Sequence, residues 1–93
     1  MKGESHSKIL MNRADKQIVL TTIHENTEID SYQSDDSVTF QVIGGKLKLR
    51  TRKKSIILHE GQFFSLHKNT NYNLSTKEET VFLLTILNGS KQQ

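Results

Sequence analysis

The sequence predicts an all-β domain. Its apolar residues fall in short runs rich in Val, Ile, Thr and Phe, the types that suit a pleated, half-buried surface. Several runs alternate apolar with polar residues, the period of a strand. Glycine or polar turn signals separate them at short, regular intervals, which points to a sandwich or barrel rather than an α/β fold.

The elements follow in chain order. Residues 18–23, Ile-Val-Leu-Thr-Thr-Ile, form the first run. A polar cluster at 33–36 predicts a turn. Val38, Phe40 and Val42 then alternate with Thr39 and Gln41, so the three apolar side chains share one face. Gly44-Gly45 is a hairpin signal, because two glycines accept the positive φ of a type I′ turn. Leu47 and Leu49 alternate with Lys46, Lys48 and Arg50, and residues 52–54 separate them from the run 56–58. Glu60-Gly61 predicts a tight turn before the run 63–66. Residues 68–71 and 77–79 read as polar loops. Residues 81–87 are the longest apolar run and predict the last strand.

Length and composition set bounds. Ninety-three residues predict one domain, placed at 8–87, with residues 1–7 and 88–93 expected to be disordered tails. The apolar fraction is 33%, and even with glycine counted it stays below the roughly 45–50% of an average domain. So thin a core in so short a chain predicts that a second copy completes the burial, as a homodimer. The absence of cysteine excludes disulfides, thiolate metal sites and cysteine nucleophiles. No apolar run nears the roughly 20 residues that span a bilayer, and residues 1–7 lack a signal-peptide core. The expected location is cytoplasmic, with no membrane partner. The net charge of +3 permits an anionic partner without requiring one.

The stretch 38–87 resembles the small single-domain cupins. Val-Thr-Phe-Gln-Val-Ile-Gly-Gly-Lys at 38–46 is similar to the cupin strand that ends in a glycine hairpin, and 47–58 to its return strand and successor. His-Glu-Gly-Gln-Phe at 59–63 resembles the small turn before the next strand. Residues 66–74 resemble the second cupin motif, a loop leading to an inward-facing position, and 81–87 the closing strand. The resemblance implies a cupin-type jelly-roll β-barrel.

Its departures bear on chemistry. In metal-binding cupins the first motif supplies two histidines spaced by one residue, then a glutamate seven residues before the hairpin glycine. Counting back from Gly45 puts Val38 at the glutamate position. The histidine positions fall on Ser31 and Gln33, or on Tyr32 and Ser34, and the second motif's histidine falls on Tyr72. None of these is a common transition-metal ligand, and the motif's proline is missing from a chain without proline. The resemblance therefore implies a barrel with no metal and no cofactor.

The candidate ligand-binding residues are Tyr32, Val38, Phe40, His67, Tyr72 and Leu74, at the mouth and inner wall that the resemblance implies. Tyr32 and Tyr72 stand where a hydroxyl could meet a small ligand or a ring could plug the cavity. Val38, Phe40 and Val42, with Phe64, Leu74 and Leu84 as neighbours, make either a core or an apolar pocket; pattern does not separate the two. His6, His24, His59 and His67 are spaced like no compact ligand set. Lys46, Lys48 and Arg50, continued by Arg52, Lys53 and Lys54, form a basic stretch without interleaved aromatics, which reads as a solvated face. Glu25, Glu28 and Asp30 read as a solvated acidic turn.

No nucleophile–base–orienter set stands out, and no catalytic residue is assigned. The function expected is a non-enzymatic cupin-like barrel, a small-ligand sensor or a protein-interaction module. The competing expectation is a metal-independent enzyme using Tyr32, Tyr72 and His67 as acid–base groups. Nucleic-acid binding by the basic stretch ranks last.

Overall fold

A computed structural model describes residues 5–34, 37–67 and 70–87; the side chains of 5 and 30–34 lie outside that description. The described residues form nine strands: β1 (Ser5–Asn12), β2 (Lys16–Ile23), β3 (Thr27–Ser34), β4 (Ser37–Gly44), β5 (Lys46–Thr51), β6 (Ser55–His59), β7 (Phe63–Leu66), β8 (Thr70–Thr76) and β9 (Thr80–Leu87). They build two sheets. One has five strands in the order β1-β2-β9-β4-β7, the other four in the order β3-β8-β5-β6, with all ladders antiparallel.

The expectation of a closed barrel is corrected here. Neither sheet closes: β1 and β7 are the edges of the first, β3 and β6 of the second. The core is buried by two faces meeting, not by a sheet curling onto itself. From β2 onward the chain passes from one sheet to the other at nearly every turn, the hairpin β5–β6 excepted. Period-two patterning is the same in a sandwich and a barrel, which is why the sequence pattern does not distinguish them.

Strand alternation fills the space between the sheets. Val38, Phe40 and Val42 of β4, Phe82 of β9, Ile23 of β2 and Leu66 of β7 come from the five-stranded sheet. Leu47 and Leu49 of β5, Leu58 of β6 and Tyr72 and Leu74 of β8 come from the other, and all are buried in one cluster. The register agrees: Phe40 stands opposite Leu84 and Phe64, and Leu49 opposite Leu74.

Three strands exceed what the pattern predicts. β1 begins at Ser5 and pairs with β2, so the expected tail 1–7 overlaps a strand in its last three residues. The polar cluster at 33–36 is strand as far as Ser34, with 35–36 outside the described residues. The expected loop 68–71 gives way to β8 at Thr70; Thr-Asn-Tyr-Asn-Leu-Ser-Thr alternates as a strand, with Tyr72, Leu74 and Thr76 buried. The expected tail 88–93 lies outside the described residues.

One end of the sandwich is held by polar contacts. The turn β4–β5 and the turn β8–β9 both cross between the sheets there; the hairpin expected at Gly44-Gly45 does not form, since β4 and β5 belong to different sheets and only Gly45 has positive φ. The wholly buried Thr80 hydroxyl lies 2.9 Å from the Lys46 carbonyl, 2.9 Å from the Glu78 carbonyl and 2.8 Å from the Thr76 hydroxyl. It accepts from the Lys46 N–H at 3.2 Å. Gly45, at φ +88°, lies against this cluster: a Cβ there would fall 2.5 Å from the Glu79 carbonyl oxygen and 2.6 Å from the Thr80 hydroxyl.

Two predictions follow from this packing. Val38→Asp places a carboxylate inside the cluster and should cost about 3–5 kcal/mol, whereas Thr39→Asp, pointing outward, should stay within about 1 kcal/mol. Chemical denaturation of both variants checks the register, and equal losses would contradict it. Gly45→Ala should cost about 2–4 kcal/mol, from strained φ and the clash together, while Gly44→Ala, which meets nothing within 4 Å, should be near neutral. Melting curves of the pair compare the two.

Candidate functional site

The expected inner-wall residues come together as core. Phe40 is 0% exposed and Tyr72 4%, and their rings meet edge to face with centroids 5.3 Å apart. Phe82 lies on the other side of Phe40 at 5.9 Å. Val38 and Leu74 are buried in the same cluster. Tyr32 stands opposite Tyr72 in the β3–β8 ladder, while its side chain lies outside the described residues. His67 is separate: it is exposed, just after β7.

The family's metal positions can be placed where side chains are described. Val38 and Tyr72, in place of a glutamate and a histidine, are both packed in the core. Among the described residues no three His, Cys, Asp or Glu side chains gather where they could hold a metal ion. The histidines are scattered. His6, expected in a tail, lies in β1, its ring edge-on to His24 at 5.3 Å. His59, expected in a turn, ends β6, and its N–H donates to the Gln62 side-chain oxygen at 2.8 Å. Glu28 and Asp30, expected in a turn, belong to β3.

The basic stretch divides in two. Lys46, Lys48 and Arg50 are exposed on the outward side of β5. Arg52, Lys53 and Lys54 form the β5–β6 turn instead. Thr51 builds that turn: its N–H donates to the Lys54 carbonyl at 2.8 Å, and its hydroxyl oxygen accepts from the N–H groups of Lys53 and Lys54, each at 3.3 Å. Such a side-chain-to-backbone closure fixes a tight polar turn. The Lys54 ammonium sits over the Phe64 ring, 5.5 Å from its centroid, a cation–π distance.

This turn borders a cavity of about 590 Å³ at the edge of the sandwich. Arg52, Lys53, Lys54 and His67 line it together with the apolar Phe64 and Leu66. Thr51, Ser65, Thr70 and Asn71 supply hydroxyl and amide groups, and among the described residues no acidic one lines it. His67 is thus an expected site residue that borders this cavity. In sequence Arg52, Lys53 and Lys54 read as part of a solvated basic face and Phe64 as inner wall; their meeting with His67 is not legible there, because the turn and His67 are distant in sequence and come together only through the packing of β7.

The topology defines an all-β domain of two antiparallel sheets packed face to face. No family model matches the sequence, and no curated protein does. Solved structures do match, with a TM-score of 0.87 to an RmlC-like cupin from Shewanella frigidimarina at 12% identity, over 98% of this chain and 82% of that one. A cupin superfamily protein from Desulfitobacterium hafniense matches at TM-score 0.86 and 13% identity, over 94% and 80% of the two chains. A conserved protein of unknown function from Streptococcus pyogenes matches at TM-score 0.83 and 18% identity, over 94% and 76%. At these identities the likeness is one of fold. Among the described residues no helix is long and apolar enough to cross a membrane.

Proposed function

We propose that this chain is a non-enzymatic cupin-fold module that acts by binding, on its outside, and keeps its interior as core. The observation that carries this reading is the packing of Phe40, Tyr72 and Phe82 where a cupin's ligand space would lie. A tyrosine in place of a metal-binding histidine supplies buried ring area to a short chain poor in apolar residues. An acid–base mechanism using Tyr72 and His67 has less support, since the first is buried and the second exposed.

The module pairs with a second copy of itself in this reading. On the outer face of the five-stranded sheet Leu20 stands opposite Leu83, and Phe63 of the edge strand β7, 66% exposed, is in register with Gln41 beside them. Ile43 is exposed in the neighbouring β4. An apolar patch on an outer sheet face suits an isologous contact. Light scattering across a dilution series should give twice the chain mass, and Phe63→Lys should shift it to the monomer. A monomer mass for the parent at every concentration removes the dimer.

The filled interior is tested at Tyr72. Tyr72→Phe keeps the ring and should leave stability within about 1 kcal/mol. Tyr72→Ala opens a cavity beside Phe40 and should cost about 3–5 kcal/mol. Denaturant titrations measure both. A Tyr72→Ala variant as stable as the parent would show that the ring does not fill the core.

A further inference from the structure

We infer that the cavity beside the β5–β6 turn is a binding site for a small organic phosphate, a ligand with a doubly charged oxyanion and a compact apolar body. It adjoins the core through Leu66 and Phe64 and opens on the basic turn.

The charge is one-sided. Arg52, Lys53 and Lys54 line one concavity together with His67, and among the described residues no carboxylate lines it with them. The chain carries 10 acidic residues, so an unassisted surface would be expected to interleave signs at such a cluster. Like charges brought to one cavity repel each other unless an anion joins them. A phosphate monoester carries about −1.5 to −2 charges at neutral pH, with three acceptor oxygens. Arginine offers a planar fork to such a group, and lysines act as point charges.

The shape and the remaining groups narrow the class. About 590 Å³ is within the range of a small-molecule pocket, roughly 300–1,000 Å³. Phe64 and Leu66 give it an apolar wall, and Thr51, Ser65, Thr70 and Asn71 give it neutral hydrogen-bonding groups. A bare inorganic ion would leave that wall unused. A nucleic-acid strand would favour an open track of cations with stacking rings; here the outward cations of β5, Lys46, Lys48 and Arg50, do not line the cavity.

The cationic turn is also held in place. Two backbone N–H groups bond to the Thr51 hydroxyl and the turn closes on the Lys54 carbonyl. The Lys54 ammonium rests over the Phe64 ring. A cation resting on a ring is held by it without giving up its charge. Preorganised donors lower the ordering cost of binding.

The test uses phenyl phosphate as the probe, titrated into the whole protein and followed by amide chemical shifts and calorimetry. Saturable binding at one site is expected, with shifts around residues 51–54 and 64–67. Arg52→Ala with Lys54→Ala should weaken it by about tenfold or more, and Lys46→Ala with Lys48→Ala, the same loss of charge on the outward face, by less than about twofold. Phenol should not bind measurably, and Tyr72→Phe should leave phenyl phosphate binding unchanged. The inference is overturned by a lack of saturable binding, by equal weakening in the two double variants, or by loss of binding in Tyr72→Phe. It is also overturned if an oligothymidylate binds more tightly than phenyl phosphate, with a steep salt dependence and equal sensitivity to both double variants, since that behaviour belongs to a nucleic-acid surface.

Discussion

Thr80 is wholly buried, and the end of the sandwich is organised around its hydroxyl. A hydroxyl has one hydrogen to give, yet two carbonyls, those of Lys46 and Glu78, lie within reach of both Thr76 and Thr80. The two side chains are 2.8 Å apart, so between them they hold two hydrogens for two carbonyl groups. The arrangement balances only while both threonines stay. Removing either would leave one hydroxyl hydrogen to serve two carbonyls, at about 1 kcal/mol. The same cluster explains Gly45: the β4–β5 turn must take positive φ and lie against Thr80, and no residue with a Cβ does both. Because β4–β5 and β8–β9 both cross between the sheets here, this polar contact sets how the two inner faces meet.

Once the faces are set, ring packing follows. Phe40 sits between Tyr72 and Phe82, edge-on to the first and tilted to the second. Aromatic pairs at such centroid distances contribute beyond the area they bury, by about 0.5–1.5 kcal/mol. In cupins that bind a metal, side chains from separate strands are joined through the ion. In this chain the same two places, at Val38 and Tyr72, are joined through the apolar core. The interior is thus a source of stability for a domain whose composition gives it little else.

How much of this was legible depends on bulges. β2, β4, β5, β6, β7 and β9 follow from alternation or β-branched runs, and the inward placing of Val38, Phe40, Tyr72 and Leu74 agrees with the buried cluster. β1 and β3 did not announce themselves, and both ladders shift register within the strand, between Ile9 and Met11 in one and between Ile29 and Tyr32 in the other. A bulge adds a residue and breaks the period of two on which the reading rests. β8 was hidden differently: Asn71 and Asn73 are turn residues by propensity, and tertiary pairing with β3 and β5 overrides that preference. The cavity was the least legible feature, since it needs β7 and two connections, far apart in sequence, to be folded against one another.

The failure of the sheets to close and the presence of that cavity have one origin. β7 is the edge of the five-stranded sheet, and the cavity is lined by three of its residues, Phe64, Ser65 and Leu66. The opposite wall is the turn between β5 and β6, on the β6 edge of the other sheet. A closed barrel would have paired these edges through a backbone ladder, leaving no room between them. Here the edges part, and the space is bordered by side chains instead: an aromatic ring with a lysine above it, and a threonine-closed turn that carries three cations. An open edge normally invites pairing with another strand. Charge placed there opposes such pairing, and in the same place it creates a positive, apolar-walled recess. The basic turn can therefore serve both needs at once, guarding an edge and receiving an anion, and only the loss of affinity in variants of Arg52 and Lys54, against an equal loss of charge on β5, separates the second role from the first.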